Sequence, residues 1–360
     1  METFHQLIEK MAFHHLRFQH GSEDPLSKEK PTLSLRIKKT PTERRMGSDS
    51  TPQLPVIYLS DQTLKPGSEK WVEVRNDVRK ALEDYGAFEV SYDRVSEELK
   101  QSVLEAMKEL FELPVEAKRR NVSPKPYTGY STHNGLSESL GIQDAEVLEK
   151  VNEFTQLLRP DFEGNKSISD NANVVADTSD IASGIANVHI NDDANIGAKA
   201  NGDIGADVDA KTTNGGADDE EKKLGLPSHT DKNLFTVLYQ YEIEGLEVLT
   251  KDEKWIRLKP SHNSFVVMAG DSVYALMNGR LFRPFHRVRV TEKKKTRYPI
   301  ALFSTPNAGY IIEPPKELVD EKHPRVFKPF TYVDLMSFYH TEGGRRARST
   351  LHAYCAVSEA

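Results

Sequence analysis

Leu226-Pro-Ser-His-Thr-Asp231 opens the stretch on which the reading turns. It continues through short apolar segments punctuated by Gly270-Asp271 and Asn278-Gly279, reaches His286-Arg-Val288, and closes on Arg297-Tyr-Pro-Ile-Ala-Leu-Phe303. His229 and Asp231 are one residue apart, so on a strand their side chains leave the same face and can grip one ion. His286 must then come from a different strand folded back beside the first. Two imidazoles and one carboxylate on one face of an ion leave the opposite positions open. Non-haem Fe(II) uses that arrangement where it must still accept a co-substrate and O2.

An H-x-D pair alone is weak evidence in a chain with 12 His. His340-Thr-Glu342 is a similar pair in an apparently helical segment, read here as an exposed helix end. The first pair gains weight from its company. Strand-like runs follow it at Leu234–Gln240, Gly245–Leu249, Trp255–Leu258, Phe265–Met268 and Val273–Met277, broken by Gly, Asp, Asn or Pro. Such spacing is expected of a closed all-β double sheet. A zinc hydrolase built on the same three ligands lacks any motif that would supply a general base.

Residues 226–303 resemble the double-stranded β-helix core of plant 2-oxoglutarate/Fe(II)-dependent dioxygenases, which carry H-x-D, a distal H-R-V and an Arg soon after. The segments LGLPSHTDKN, GLEVLTKDEKW, MNGRLFRPFHRVRVTEKKKTRY and FYHTEGGRRARSTLHAY are similar to the AOP branch, the dioxygenases of the cabbage family that form alkenyl and hydroxyalkyl glucosinolates. The resemblance covers roughly Pro55–Arg159 and Leu224–Val357. It implies a mostly β fold with flanking helices around a jelly-roll core. His229, Asp231 and His286 match the iron ligands, and Arg297 matches the residue that pairs with the far carboxylate of 2-oxoglutarate. A planar guanidinium suits that task, since it binds a carboxylate through two parallel hydrogen bonds. The implied reactants are Fe(II), 2-oxoglutarate, O2 and a small-molecule substrate, with ascorbate as reductant. The implied reaction couples decarboxylation of 2-oxoglutarate to oxidation of a methylsulfinylalkyl glucosinolate side chain.

The chain departs from this pattern twice. The family reads Arg-x-Ser, whereas Pro299 stands at the third position, removing a hydroxyl and, within a central strand, a backbone donor. Ser167–Glu221 contains no aromatic residue and carries twelve acids against two lysines. Such a tract cannot bury enough apolar surface to offset its ordering entropy, and disorder is expected. It stands where the family places a long helix and early core strands, so the core is expected to be incomplete, with an open edge. A catalytically impaired or non-enzymatic family member is therefore the alternative reading.

The expected boundaries are a disordered extension over 1–50, an N-terminal α/β region over 51–166, the acidic tract over 167–222, the core over 223–312 and a helical segment over 313–360. Met1–Arg45 ends in basic runs but carries six acids, Glu2 to Glu43, which argues against a transit peptide. Met46-Gly-Ser-Asp-Ser-Thr51 looks like the usual family beginning, and would fit a myristoylation pattern if Met46 were the initiator. Periodicity predicts a helix over Lys70–Tyr85 and a second one capped by Ser96 and ending before Pro114. Tyr127 and Tyr130, in a turn-rich aromatic segment, are substrate-contact candidates by resemblance, against a core-packing role. Phe282 and Phe285 flank the approach to His286 and are the other candidates. Arg345-Arg346-Ala-Arg348 reads as a solvated helix end, or as attraction for an anionic group such as a sulfate. A helix from Val333 to His340 is expected to end at Gly343-Gly344.

The net charge of −7 resides in the acidic tract, since the remainder is slightly basic. Neither a nucleic-acid nor a membrane partner is indicated, and no apolar run reaches the about eighteen residues a span needs. Cys355 is the only cysteine, so no disulfide forms within the chain. A cytoplasmic monomer is expected.

Overall fold

A computed structural model of the chain describes residues 53–61, 64–123, 128–133, 135–145, 147–160, 187–191, 224–290 and 295–357. The expectations for 1–50, for Tyr127 and for most of the acidic tract lie outside the described residues. The strands, in chain order, are β1 (Val56–Tyr58), β2 (Ala87–Ser91), β3 (Gly129–His133), β4 (Ser137–Gly141), β5 (Asn187–Asn191), β6 (Leu224–His229) and β7 (Phe235–Tyr239). Then come β8 (Leu246–Leu249), β9 (Trp255–Arg257), β10 (Ser264–Ala269), β11 (His286–Arg289), β12 (Ile300–Ser304) and a small pair, β13 (Ile311–Ile312) with β14 (Phe330–Thr331). The larger sheet runs β1-β2-β10-β7-β12-β5-β4-β3 and the smaller one β6-β11-β8-β9.

From β5 onward the chain crosses between the sheets at every step except the β8–β9 hairpin, a jelly-roll pattern. The sheets remain separate and close no barrel. Period-two alternation explains the packing. On β7 and β10, Leu238, Val266 and Met268 meet Leu246, Val248 and Ile256 of the smaller sheet. Their neighbours Val237, Val267 and Ala269 belong to a second apolar layer on the outer side. Both faces of the larger sheet are covered, which is why all five residues of β7 are buried, Thr236 included. Each such side chain contributes about 1.5–3 kcal/mol when fully buried.

Helices supply the outer cover. α1 (Glu69–Asp84) starts where Ser68 Oγ accepts from Trp71 N, and it buries Trp71, Val78, Ala81 and Leu82. α2 (Glu97–Glu112) is capped in the same way by Ser96. With the short α3 (Val115–Lys118) preceding β3, α2 packs Met107 and Phe111 against Leu140, Ile300 and, from α4 (Leu148–Leu158), Phe154 and Leu158. Both predicted helices are present and lie outside the two-sheet core.

Four details differ from the sequence reading. Asn187–Asn191, inside the tract expected to be disordered, forms a strand between β12 and β4, pairing Val188 with Ile300 and with Leu140. The vacant place beside β12 is thereby filled. Val273–Met277 is not a strand. Asp271–Leu276 is a helix, α5, buried on nearly all sides, so its apolar run carries no period by which to tell the two apart. Pro299 precedes β12 and so removes no donor from within the strand. Lastly, Gly343-Gly344 does not terminate a helix. α6 (Tyr332–Tyr339) stops at His340, and Thr341 Oγ1 accepts from Gly344 N to cap a new helix, α7 (Glu342–Arg346), ahead of α8 (Thr350–Cys355). No helix among the described residues is long and apolar enough to cross a membrane.

Candidate metal centre and co-substrate site

His229 ends β6 and His286 begins β11, and antiparallel pairing sets the two directly opposite each other. Their ring centroids lie 4.2 Å apart. β6 is the edge strand of its sheet, which accommodates Pro227. Asp231 follows the end of β6 and brings Oδ1 within 3.5 Å of His229 Nε2 and 3.6 Å of His286 Nε2. These ligand atoms all lie within 4.8 Å of one another, the spacing of three donors around a single ion.

Local bonds set the chemical state of each donor. His229 Nδ1 lies 2.8 Å from the Pro227 carbonyl, which fixes its proton there and leaves Nε2 as the lone-pair donor. Thr236 Oγ1 donates to Asp231 Oδ2, so Oδ1 alone turns to the imidazoles. Burial by itself would raise the Asp231 carboxyl, but His286, His229 and the Thr236 bond outweigh it and hold the group well below the usual carboxylate range. His286 is driven down to about 4, chiefly by burial, with Asp231 opposing, and is neutral near pH 7. Two imidazole nitrogens and one carboxylate oxygen form a donor set that suits Fe(II).

The loop carrying Asp231 is strapped to the N-terminus of α5. Asp271 N donates to Asp231 O at 2.7 Å, Ser272 N to Asn233 O at 3.1 Å, Gly270 N to Leu234 O at 2.9 Å, and Ser272 Oγ to Lys232 O at 2.5 Å. A Cβ at Gly270 would collide with Asn233, so only glycine permits this approach. Behind the loop, Asp271 lies between two cations, Arg283 at 2.6 Å and Lys232 at 3.4 Å. Lys232 also donates to Thr230 O at 2.8 Å, and Arg283 reaches Ser349 Oγ at 2.9 Å beside α8. Tyr332, at the start of α6, is raised by its own burial and, to a lesser degree, by the charge of Asp231. Asn233, Thr236 and Tyr332 went unmarked in the sequence, and Asp271 was read only as a break between apolar segments. A polar residue held within an apolar run is the signal that could have found Thr236.

Arg297 lies just before β12 and is only 3% exposed. Its Nε donates to Ile243 O at 3.2 Å and its Nη2 to Gln240 Oε1 at 2.9 Å. Gly245 lets it pass, since a Cβ there would stand 3.3 Å from both Cδ and Nε. Burial lowers the guanidinium to about 10, still charged at pH 7, and no carboxylate of the described residues faces it. A buried cation without a counter-charge is costly, and an incoming carboxylate relieves that cost. The residues present therefore fit both Fe(II) and the far carboxylate of 2-oxoglutarate.

The remaining candidates are placed elsewhere. Tyr130 donates its hydroxyl to Glu138, which also pairs with buried Lys118 at 2.7 Å, a packing arrangement beneath β3 and β4. Phe282 lies under Lys251 Nζ at 5.6 Å, its backbone N–H bound to Leu82 O. Phe285 is half-buried, and its carbonyl accepts from Leu249 N. Neither ring is drawn into the His–Asp–His cluster by any bond. Arg345 donates to His340 O and Arg346 pairs with Glu342, so these two are committed at an exposed helix end.

Comparison with known proteins agrees with this geometry. Residues 213–306 match the 2OG-Fe(II) oxygenase superfamily model, and residues 54–164 match the model for the N-terminal region of non-haem dioxygenases in morphine synthesis. The chain is 48% identical over 433 residues to the Arabidopsis thaliana 2-oxoglutarate-dependent dioxygenase AOP2, covering 88% of this chain and all of that protein. It is 54% identical over 330 residues to the probable 2-oxoglutarate-dependent dioxygenase AOP1 of the same plant, covering 86% and 100%. It is also 50% identical over 401 residues to a probable inactive form of AOP2, covering 88% and 100%. Among solved structures, the rice dioxygenase for auxin oxidation aligns with TM-score 0.62 and 27% identity, over 85% of this chain and all of that one. With a His–Asp–His cluster, a buried arginine that no carboxylate of the described residues faces and relatives of this identity, the chain belongs to the 2-oxoglutarate/Fe(II)-dependent oxygenases.

Proposed function

We propose that the chain oxidises the side chain of a methylsulfinylalkyl glucosinolate to an alkenyl or hydroxyalkyl form. His229, Asp231 and His286 are assigned as the iron ligands, and Arg297 as the anchor of the co-substrate. The observation that supports this most directly is the convergence of the three ligand atoms within 4.8 Å. Bound Fe(II) with 2-oxoglutarate supplies O2 activation coupled to release of succinate and CO2. The protein supplies placement. The two histidines present Nε2 because strand register and the Pro227 carbonyl set their rings. Asp231 offers one oxygen because Thr236 holds the other. Arg297, braced by Ile243 and Gln240, fixes the far end of the keto acid and so orients its chelating end. Phe282 and Phe285 are retained as candidates for shaping the substrate side. A monomer in the cytoplasm, where a lone buried Cys355 stays reduced, completes the reading.

The test uses the full chain with Fe(II), 2-oxoglutarate and ascorbate, following succinate with and without a methylsulfinylalkyl glucosinolate and identifying the product by mass. Substrate-dependent succinate and an alkenyl or hydroxyalkyl product are expected. A second reading, a catalytically impaired member, is favoured by Pro299 and by the 50% identity to a probable inactive relative. Folded protein that releases no succinate supports it.

A further inference from the structure

Pro299 leaves the far end of the co-substrate site without the hydroxyl that an Arg-x-Ser pattern supplies. A different side chain stands ready to replace it. Gln240 follows β7 directly and is 4% exposed. Its Oε1 accepts from Arg297 Nη2 at 2.9 Å and from Leu246 N at 3.3 Å. Two donors converge on the carboxamide oxygen, and they fix which way the group faces. Its nitrogen, Nε2, then points two N–H donors away from both and finds no acceptor among the described residues. Arg297 Nη1 is in the same position. Neither atom is among the fully enclosed side-chain polar atoms of the described residues that lack a partner, which are Arg75 Nε, Arg159 Nε, Asp271 Oδ2, His286 Nδ1 and Thr350 Oγ1. Both donors therefore border space that a ligand can enter. Unsatisfied donors on buried residues are a liability unless something binds them.

We propose that Gln240 is a co-substrate-recognition residue, donating from Nε2 to the far carboxylate of 2-oxoglutarate beside Arg297, in place of a hydroxyl at position 299. This rests on the oxygenase reading above. A planar guanidinium and a planar amide braced against each other present donors to a carboxylate, and a keto acid lacking that carboxylate gains nothing from them. Gln240 thus helps set the preference for a dicarboxylic over a monocarboxylic keto acid.

The variant Gln240→Glu tests it, since it keeps an acceptor for Leu246 N and Arg297 while replacing the amide donors with a negative charge. In the full chain, Fe(II) affinity is expected to stay within twofold. Affinity for 2-oxoglutarate, read from the charge-transfer absorption of the iron–keto acid complex, is expected to fall about a hundredfold or more. Affinity for 2-oxobutanoate is expected to change little. The apolar variant Gln240→Met, checked for folding by thermal melting, is expected to weaken 2-oxoglutarate about tenfold, raising its KM with little change in kcat. A 2-oxoglutarate affinity within threefold of wild type in folded Gln240→Glu overturns the proposal. Should neither variant fold, the wild-type protein still decides. In the 15N-labelled, Zn(II)-loaded chain, the Gln240 side-chain amide signal should shift with 2-oxoglutarate and stay still with 2-oxobutanoate, and no shift overturns the proposal. Wild-type protein that binds Fe(II) yet shows no 2-oxoglutarate complex refutes the oxygenase reading itself.

Discussion

Asp271→Asn changes one oxygen for one amide in a cluster closed to solvent, and its cost follows from what remains behind. Asp271 is 0% exposed, Lys232 2% and Arg283 13%. At 3.4 Å and an effective dielectric of about 20, the Lys232 contact is worth about 5 kcal/mol of attraction, and the closer Arg283 contact somewhat more. Desolvation of three charges offsets most of this in the native protein. After the substitution two cations stay buried near each other with no anion between them. Breaking a buried pair from one side costs about 3–5 kcal/mol, which corresponds to a fall in Tm of about 6–20 °C.

The pH dependence has a definite sign. The Asp271 carboxyl is held below its ordinary value: burial raises it, but Lys232 and then Arg283 outweigh burial. Its stabilisation is therefore present above the usual carboxylate range and lost as pH falls through the depressed value. The gap between wild type and Asp271→Asn should accordingly close in strong acid. Adding Lys232→Met to Asp271→Asn should recover part of the loss, because one stranded cation is gone. Thermal and urea unfolding measure all of this. An Asp271→Asn protein that melts within about 2 °C of wild type at pH 7 refutes the account.

The remaining predictions concern the site and the outer face of the smaller sheet. His229→Ala should abolish Fe(II)-dependent succinate release while leaving the melting curve close to wild type, since His229 is half-buried at a strand end; turnover retained in the variant would remove His229 from the ligand set. Arg297→Lys keeps the charge but loses the fork, at about 1.5–3 kcal/mol for a charge-assisted bond, so the KM for 2-oxoglutarate should rise about 10–100-fold. An unchanged KM argues against that role. Pro299→Ser should lower the same KM several-fold, and a rise would mean that the proline sets the entry to β12. Glu247 is buried and bonded to Arg287 at 2.6 Å, with Arg257 and Arg289 also in contact. Burial raises its carboxyl, yet the Arg287 bond and the arginine charges bring it below the ordinary value. Glu247→Gln should cost about 1–2 kcal/mol near pH 7, kept small by solvent around the arginines, and the difference should vanish in acid. Chemical denaturation at both pH values checks it.

How far the sequence could be read depended on whether a residue's surroundings are local. Ser96 announces its helix because a cap is a contact between near neighbours. His229, Asp231 and His286 could be found because the ligand types and the strand period sit on the surface of the text. Val273–Met277 could not be assigned, since a helix buried all round and a buried strand show the same apolar run. Asn187–Asn191 was hidden by its neighbours. Its Val188 and Ile190 alternate as a strand should, but the acidic composition around them dominated the window. Lys232 and Asp271 are ordinary charged residues on the page, and their pairing requires the fold to bring β10's exit beside the loop after β6.

The geometry also separates two ways in which a member of this family could fail. The proposed iron ligands are positioned by strand register at His229 and His286 and by a loop fastened to α5 at Asp231, all independent of position 299. The far carboxylate depends on Arg297, whose brace runs to Ile243 and Gln240 in the connection between β7 and β8. Pro299, lying before β12, bears on the second set alone. An impaired protein of this sequence should thus bind Fe(II) normally and lose its grip on 2-oxoglutarate. Weak iron binding combined with firm keto acid binding would run against the proposed site, in which the keto acid would bind at the ion that His229, Asp231 and His286 would hold.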